Sequence, residues 1–84
     1  MRLCWDQDGW DDYIHWQTAD RAILKRINQL IAACLREPYS GIGQPEPLLH
    51  EAKGAWSRRI TGEHRLVYQV HGEDLLILQA RYHY

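Results

Sequence analysis

Between Arg21 and Pro38 the apolar positions recur at helical spacing. Ile23, Ile27, Leu30, Ile31, Cys34 and Leu35 fall on one stripe, while Arg21, Lys25, Arg26 and Asn28 fall outside it. This predicts an amphipathic helix, capped by Thr18 or Asp20 and stopped by Pro38. Upstream, Trp10, Tyr13 and Ile14 at i, i+3 and i+4 predict a first helix with these three as its inner stripe. It starts from an Asp6 cap and runs to about Gln17, with Asp8 in the first turn, where a carboxylate favours the helix dipole. Gly9 weakens it. About two residues between the helices imply an antiparallel hairpin. Arg2–Trp5, short, apolar and bounded by Asp6, reads as a strand.

Past Pro38 the pattern changes twice. Residues 39–49 hold Gly41, Gly43, Pro45 and Pro47 and read as a loop. Glu46 sits between the two prolines, and Pro47 holds it extended, so its carboxylate stands on a stiff mount. From Gly54 the period becomes two. Residues 55–60, 65–70 and 75–82 read as three strands with turns at Gly62 and Gly72. A three-residue loop over 72–74 would put Leu66, Tyr68 and Val70 on the same side as Leu76, Leu78 and Ala80, against the helices. The other side would carry Arg65, Val67 and Gln69 beside Ile77, Gln79, Arg81 and His83. The expected fold is α+β, in the order strand-helix-helix-strand-strand-strand, with two N-terminal helices on one face of a mainly antiparallel sheet. One domain over residues 1–84 fits the length.

Composition narrows the function. Four Trp and five Tyr with no Phe favour side chains that carry a polar tip, the type enriched on binding surfaces. A net charge of −1 argues against binding nucleic acid by bulk electrostatics alone. The charge is unevenly spread: Asp6, Asp8, Asp11, Asp12 and Asp20 crowd the first twenty residues, while Lys53, Arg58, Arg59 and Arg65 cluster later. Cys4 and Cys34 match no metal or redox spacing and suit a reducing compartment. With no apolar run of membrane length and no leader-like start, a cytoplasmic protein without membrane contact is expected.

An antiparallel meander brings the end of its first strand, the start of its second and the end of its third to one sheet edge. Arg59, Glu63, Arg65 and residues 81–84 should meet there, with Arg65 opposite Arg81 and His83 as a diagonal neighbour. Like charges so placed are unfavourable unless an anion lies between them. A fixed carboxylate, an imidazole and several guanidiniums are the parts for cleaving RNA through its own 2′-hydroxyl. A base takes the 2′-OH proton, arginine stabilises the phosphorane, and an acid protonates the leaving 5′-oxygen, with no cofactor required.

Several stretches carry a resemblance. They are Trp10-Asp11-Asp12-Tyr13, Gly41-x-Gly43-x-Pro45-Glu46-Pro47-Leu48, Trp56-Ser57-Arg58-Arg59-Ile60, Glu63-His64-Arg65-Leu66-Val67-Tyr68 and Arg81-Tyr82-His83-Tyr84. As a set they resemble the YoeB-type toxins of the RelE superfamily, over essentially the whole chain. The resemblance implies a RelE-like toxin of a type II toxin–antitoxin system that cuts mRNA in the ribosomal A site, contacting the 16S rRNA. The products would be a 2′,3′-cyclic phosphate and a 5′-hydroxyl. It further implies Glu46 as general base, His83 as general acid and Arg65 on the phosphate, with Arg59, Glu63 and Tyr84 in support. Arg81 joins them by position. A YefM-type antitoxin that covers this edge, and a toxin homodimer, are the implied protein partners. Gln44 and Leu49 stand where the family commonly has basic residues.

Read singly, most of these residues are ordinary. Arg58 and Arg59 pass as surface charges, and His15, His50, His64 and His71 as structural or solvent-facing, without ligand spacing. The case for His83 rests on its company. A non-catalytic module binding RNA or a partner through the same basic edge is the alternative, and Glu46 discriminates, because phosphate binding needs no carboxylate. A metal-dependent nuclease would be stopped by chelator. Two guanidiniums beside an imidazole oppose further positive charge there, so the acid role leans on the substrate phosphate, Glu63 or the terminal carboxylate, and the scissile phosphate and ribosomal RNA should complete the site. Free RNA should then be cut poorly compared with mRNA on the ribosome.

Overall fold

Asp20 closes one helix and opens the next. Its N–H donates to the Trp16 carbonyl at 3.4 Å, while its carboxylate accepts the N–H groups of Ala22 and Ile23 at 3.0 and 3.2 Å. This single residue, rather than about two, turns α1 (Gln7–Ala19) into α2 (Arg21–Arg36). Asp6 caps α1 as expected, accepting the Asp8 N–H at 3.2 Å. The computed structural model describes residues 1–50 and 53–83.

Both helices pack on one face of a mixed sheet with strands β1 (Arg2–Trp5), β2 (Glu46–Pro47), β3 (Trp56–Arg59), β4 (Arg65–His71) and β5 (Asp74–Gln79). The order across the sheet is β1-β5-β4-β3-β2. β1 lies parallel to β5, and the other neighbours are antiparallel. A helical hairpin between β1 and the later strands supplies the long crossover that parallel pairing needs. The core joins the stripe of α2 (Ile27, Leu30, Ile31 and Cys34) to Trp16, Leu66, Tyr68, Leu75, Ile77 and Ala80. Each large aliphatic side chain there contributes about 1.5–3 kcal/mol through burial.

Three expectations change. Trp10 and Ile14 are 43% and 45% exposed, and α1 instead turns Gly9 and Trp16 inward, with Tyr13 partly buried. The cause is close approach. A Cβ on Gly9 would lie 2.3 Å from the Ile77 carbonyl oxygen, so only glycine lets the helix sit this near β5. Secondly, the β4–β5 turn has two residues, Gly72 and Glu73, with His71 opposite Asp74. Tyr68 and Val70 therefore face the helices with Leu75 and Ile77, not with Leu76 and Leu78. A one-residue slip flips a whole strand. An irregularity that skips Leu78, between the pairs Tyr68–Ile77 and Val67–Gln79, then returns Ala80 to the core. Leu78 packs instead with Leu48, Ala55 and Val67. Thirdly, residues 39–49 are not all loop, since Glu46 and Pro47 pair with Ser57 and Trp56 as a short edge strand.

Candidate active site at the end of the sheet

Cross-strand pairing builds the site. Arg59 on β3 lies directly opposite Arg65 on β4. Glu46 pairs with Ser57, so it shares the face of Ser57 and Arg59 and is a diagonal neighbour of Arg59. This is the face turned away from the helices. The proline-flanked carboxylate and the two guanidiniums thus occupy adjoining positions of one surface.

The turn after β3 completes it. The N–H groups of Ile60 and Thr61 both donate to the His64 carbonyl, and Thr61 Oγ1 accepts from the N–H groups of Glu63 and His64. The carbonyls of this tight turn converge on Arg65. Its NH1 donates to Thr61 O at 2.6 Å, His64 O at 3.0 Å and Gly62 O at 3.3 Å. His83 Nε2 lies 3.1 Å from the same Gly62 oxygen, a contact that requires the proton on Nε2. A Cβ on Gly62 would sit 3.5 Å from Arg59 NH2. Arg59, Arg65 and His83 therefore border one glycine.

Arg81 and Glu63 do not join them as expected. The β4–β5 pairing ends at Gln79, the residue opposite Arg65 is Arg59, and the Arg65 N–H donates to Tyr82 O at 3.0 Å. Tyr82 has φ +61°, which turns the tail out of strand geometry. The Arg81 guanidinium lies 4.7 Å from the Tyr82 ring centre and donates to its hydroxyl at 3.0 Å. It lines a cleft of about 310 Å³ with Asp8, Asp11, Asp12 and His83. The Glu63 carboxylate turns back to within 3.6 Å of His64 Nε2. Tyr84 lies outside the described residues.

Two residues read as ordinary prove central. Arg58 is fully buried, not a surface charge. It donates to the carbonyls of Glu37, Ser40 and Ile42 at 2.7, 2.8 and 2.8 Å and to the Tyr68 hydroxyl at 3.2 Å. That fork ties down the segment leading to Glu46, which is also held by the Arg59 N–H on Gly43 O at 2.7 Å. Burial pushes the Tyr68 phenol up to about 12 and raises the Cys34 thiol, although Arg58 opposes both. His64 is buried, and its Nδ1 accepts the Tyr82 N–H at 2.8 Å. On the helix side, Asp12 accepts the Ala80 N–H at 3.0 Å, and burial raises its carboxyl above the ordinary value despite that bond and Arg81. The sequence signal for Arg58 was its period: Trp56, Arg58 and Ile60 share a face that points at the helices.

The family model for YoeB-like toxins of bacterial type II toxin–antitoxin systems matches residues 5–84. The chain belongs to this YoeB family. It is 55% identical to Toxin YoeB of Escherichia coli K12 over 84 residues, the whole of both chains. A solved YoeB/ParE toxin from Agrobacterium tumefaciens is 48% identical, covers all of both chains and superposes with a TM-score of 0.96. The Staphylococcus aureus YoeB, solved as a dimer, is 36% identical with a TM-score of 0.92, covering all of this chain and 98% of that one. Its complex with YefM gives a TM-score of 0.86 at 34% identity and the same coverage. In this YoeB-family chain Gln44 and Leu49, the two departures from the family pattern, are both exposed, and they flank Glu46. Among the described residues no helix is long and apolar enough to cross a membrane, and no cluster of three metal-ligating side chains occurs.

Proposed function

We propose that the chain, acting as one toxin domain over residues 1–84, is a cytoplasmic endoribonuclease that cuts mRNA in the ribosomal A site. Glu46 takes the 2′-OH proton. Arg65, helped by Arg59, holds the phosphate and the charge that builds on it, and His83 protonates the leaving 5′-oxygen. The products are a 2′,3′-cyclic phosphate and a 5′-hydroxyl, and no metal takes part. Arg81, Glu63 and Tyr84 serve in support, Arg81 from the cleft beside His83. The observation that carries this reading is the convergence of Arg59, Arg65 and His83 on Gly62, on the sheet face that also bears Glu46. Opposed guanidiniums flanked by a carboxylate and an imidazole suit a phosphodiester that must be both held and split. Family membership adds a YefM-type antitoxin as inhibitor and a homodimer as the resting toxin, since a relative is solved in both forms.

Primer extension on mRNA from translating ribosomes tests it. Glu46→Gln and His83→Ala should each fold normally and lose roughly 10²–10⁴-fold in cleavage. Wild-type cleavage by both would refute the roles. Retained binding to programmed ribosomes without any cleavage by the unmutated protein would favour a purely binding module.

A further inference from the structure

The last residues leave strand geometry after Gln79, yet side chains of α1, of the turn before β4 and of Gln79, with one β4 backbone N–H, hold them. Ala80 is gripped on both sides: its N–H by Asp12 and its carbonyl by Trp16 Nε1 at 2.8 Å. Tyr82 is gripped likewise, its carbonyl by the Arg65 N–H and its own N–H by His64 Nδ1 at 2.8 Å. Gln79 Nε2 donates to the carbonyls of Arg81, Tyr82 and His83 at 2.8, 3.2 and 3.3 Å. His64 is the one imidazole in this clamp. It is 7% exposed and packed edge-on against Trp16, with ring centres 4.8 Å apart, and beside Tyr82 at 5.6 Å. An acceptor at Nδ1 fixes its tautomer, placing the proton on Nε2, where Glu63 Oε1 stands 3.6 Å away.

From this arrangement we infer that His64 is the positioning residue for His83. The inference rests on the proposed acid role of His83. Tyr82 holds a backbone conformation that is unfavourable for a residue with a Cβ, at φ +61°. The His64 bond to its N–H, with the Arg65 and Gln79 bonds to its carbonyl, keeps that conformation populated, and His64 is the one side chain that fixes the N–H. The φ of Tyr82 in turn decides whether the next imidazole reaches the Gly62 carbonyl beside Arg65.

The test pairs two substitutions. Asn places an amide oxygen at the same branch point as Nδ1, so His64→Asn keeps an acceptor for the Tyr82 N–H, whereas His64→Leu keeps only bulk. Proton–carbon correlation spectra of the folded protein read the His83 ring directly, whether or not the protein is active. The His83 signals should stay near wild type in His64→Asn and move to those of a free histidine in His64→Leu. On programmed ribosomes His64→Leu should lose roughly 10²-fold in kcat with little change in KM, and His64→Asn should recover at least tenfold of that. Adding His64→Leu to His83→Ala should cost nothing further, because both act through one group. Unchanged His83 signals in His64→Leu, or a full further loss in the double variant, would overturn the inference. A wild-type rate in His83→Ala would overturn the acid role instead, leaving the spectra to decide the positioning.

Discussion

Removing the Arg58 guanidinium should destabilise the fold strongly by releasing the segment that leads to Glu46. The side chain is fully buried and donates to three carbonyls and a phenol. Hydrogen bonds from a charged donor are each worth about 1.5–3 kcal/mol net, but these four share one group and do not add. Breaking a buried charged network by deleting one member costs about 3–5 kcal/mol, and that is the expected loss for Arg58→Leu. At about 2.1 cal/mol/K per residue, an 84-residue chain has an unfolding entropy of about 0.18 kcal/mol/K. The melting temperature should then fall by roughly 17–28 °C. Arg58→Lys should recover less than half, since an ammonium is one compact donor group and cannot span carbonyls at 37, 40 and 42 together with Tyr68. The assay is thermal and urea unfolding followed by tryptophan fluorescence, with cleavage measured well below each melting point. A drop of less than about 6 °C for Arg58→Leu, roughly 1 kcal/mol, would refute the assignment of Arg58 as the tie on residues 37–43.

Gly9→Ala sets helix propensity against packing: alanine gains about 0.5–1 kcal/mol in α1, but its methyl would meet the Ile77 carbonyl, at a cost of about 1–3 kcal/mol or more. The melting temperature should fall, and a rise would show that α1 can move off β5 without loss. Asp12→Asn gives a pH test. Burial raises the Asp12 carboxyl above its unfolded value of 3.8, so the native state binds the proton more tightly, and stability falls as pH rises through the window between those values. Asparagine keeps an oxygen for the Ala80 N–H without the charge. Its stability relative to wild type should therefore climb as pH rises past 3.8 and level off once the native carboxyl has ionised, and a difference independent of pH would refute the burial argument.

What the sequence reveals follows from which interactions are periodic. The stripe of α2 is long and strictly helical, so most of its inner face was legible, with only buried Ala33 and half-buried Leu24 left out. The meander was legible from its change of period, and the stiff mount of Glu46 from its prolines. The inner face of α1 was not, because it is centred on Gly9, which carries no hydrophobic signal. The register of β5 depends on one turn residue and one skipped residue, neither of which alternation encodes, and it misplaced Arg81. Arg58 was visible in the period but was overruled by its charge. The role of His64 depends on where the Tyr82 N–H ends up after the sheet has ended, and no local pattern reports that.

The two faces of the sheet hold opposite kinds of arginine, and together they explain where the site sits. Arg58 faces the helices and donates four hydrogen bonds, to three carbonyls and a phenol, adding rigidity. Arg59, its neighbour in sequence, faces the other way and lies opposite Arg65, an arrangement unfavourable by about 0.2–1 kcal/mol. Tyr82 adds a strained backbone at the same end, at a cost of roughly 1–3 kcal/mol. A small domain with a stability of order 5–15 kcal/mol keeps such local costs only where the surrounding structure overdetermines them. Here Arg58 and His64, both buried, fix the segments before and after the opposed arginines. A phosphate entering between Arg59 and Arg65 would replace their repulsion with two attractions in a geometry already set. On the function proposed above, the unfavourable pair is where the phosphate would bind, and the buried pair is what allows it to persist.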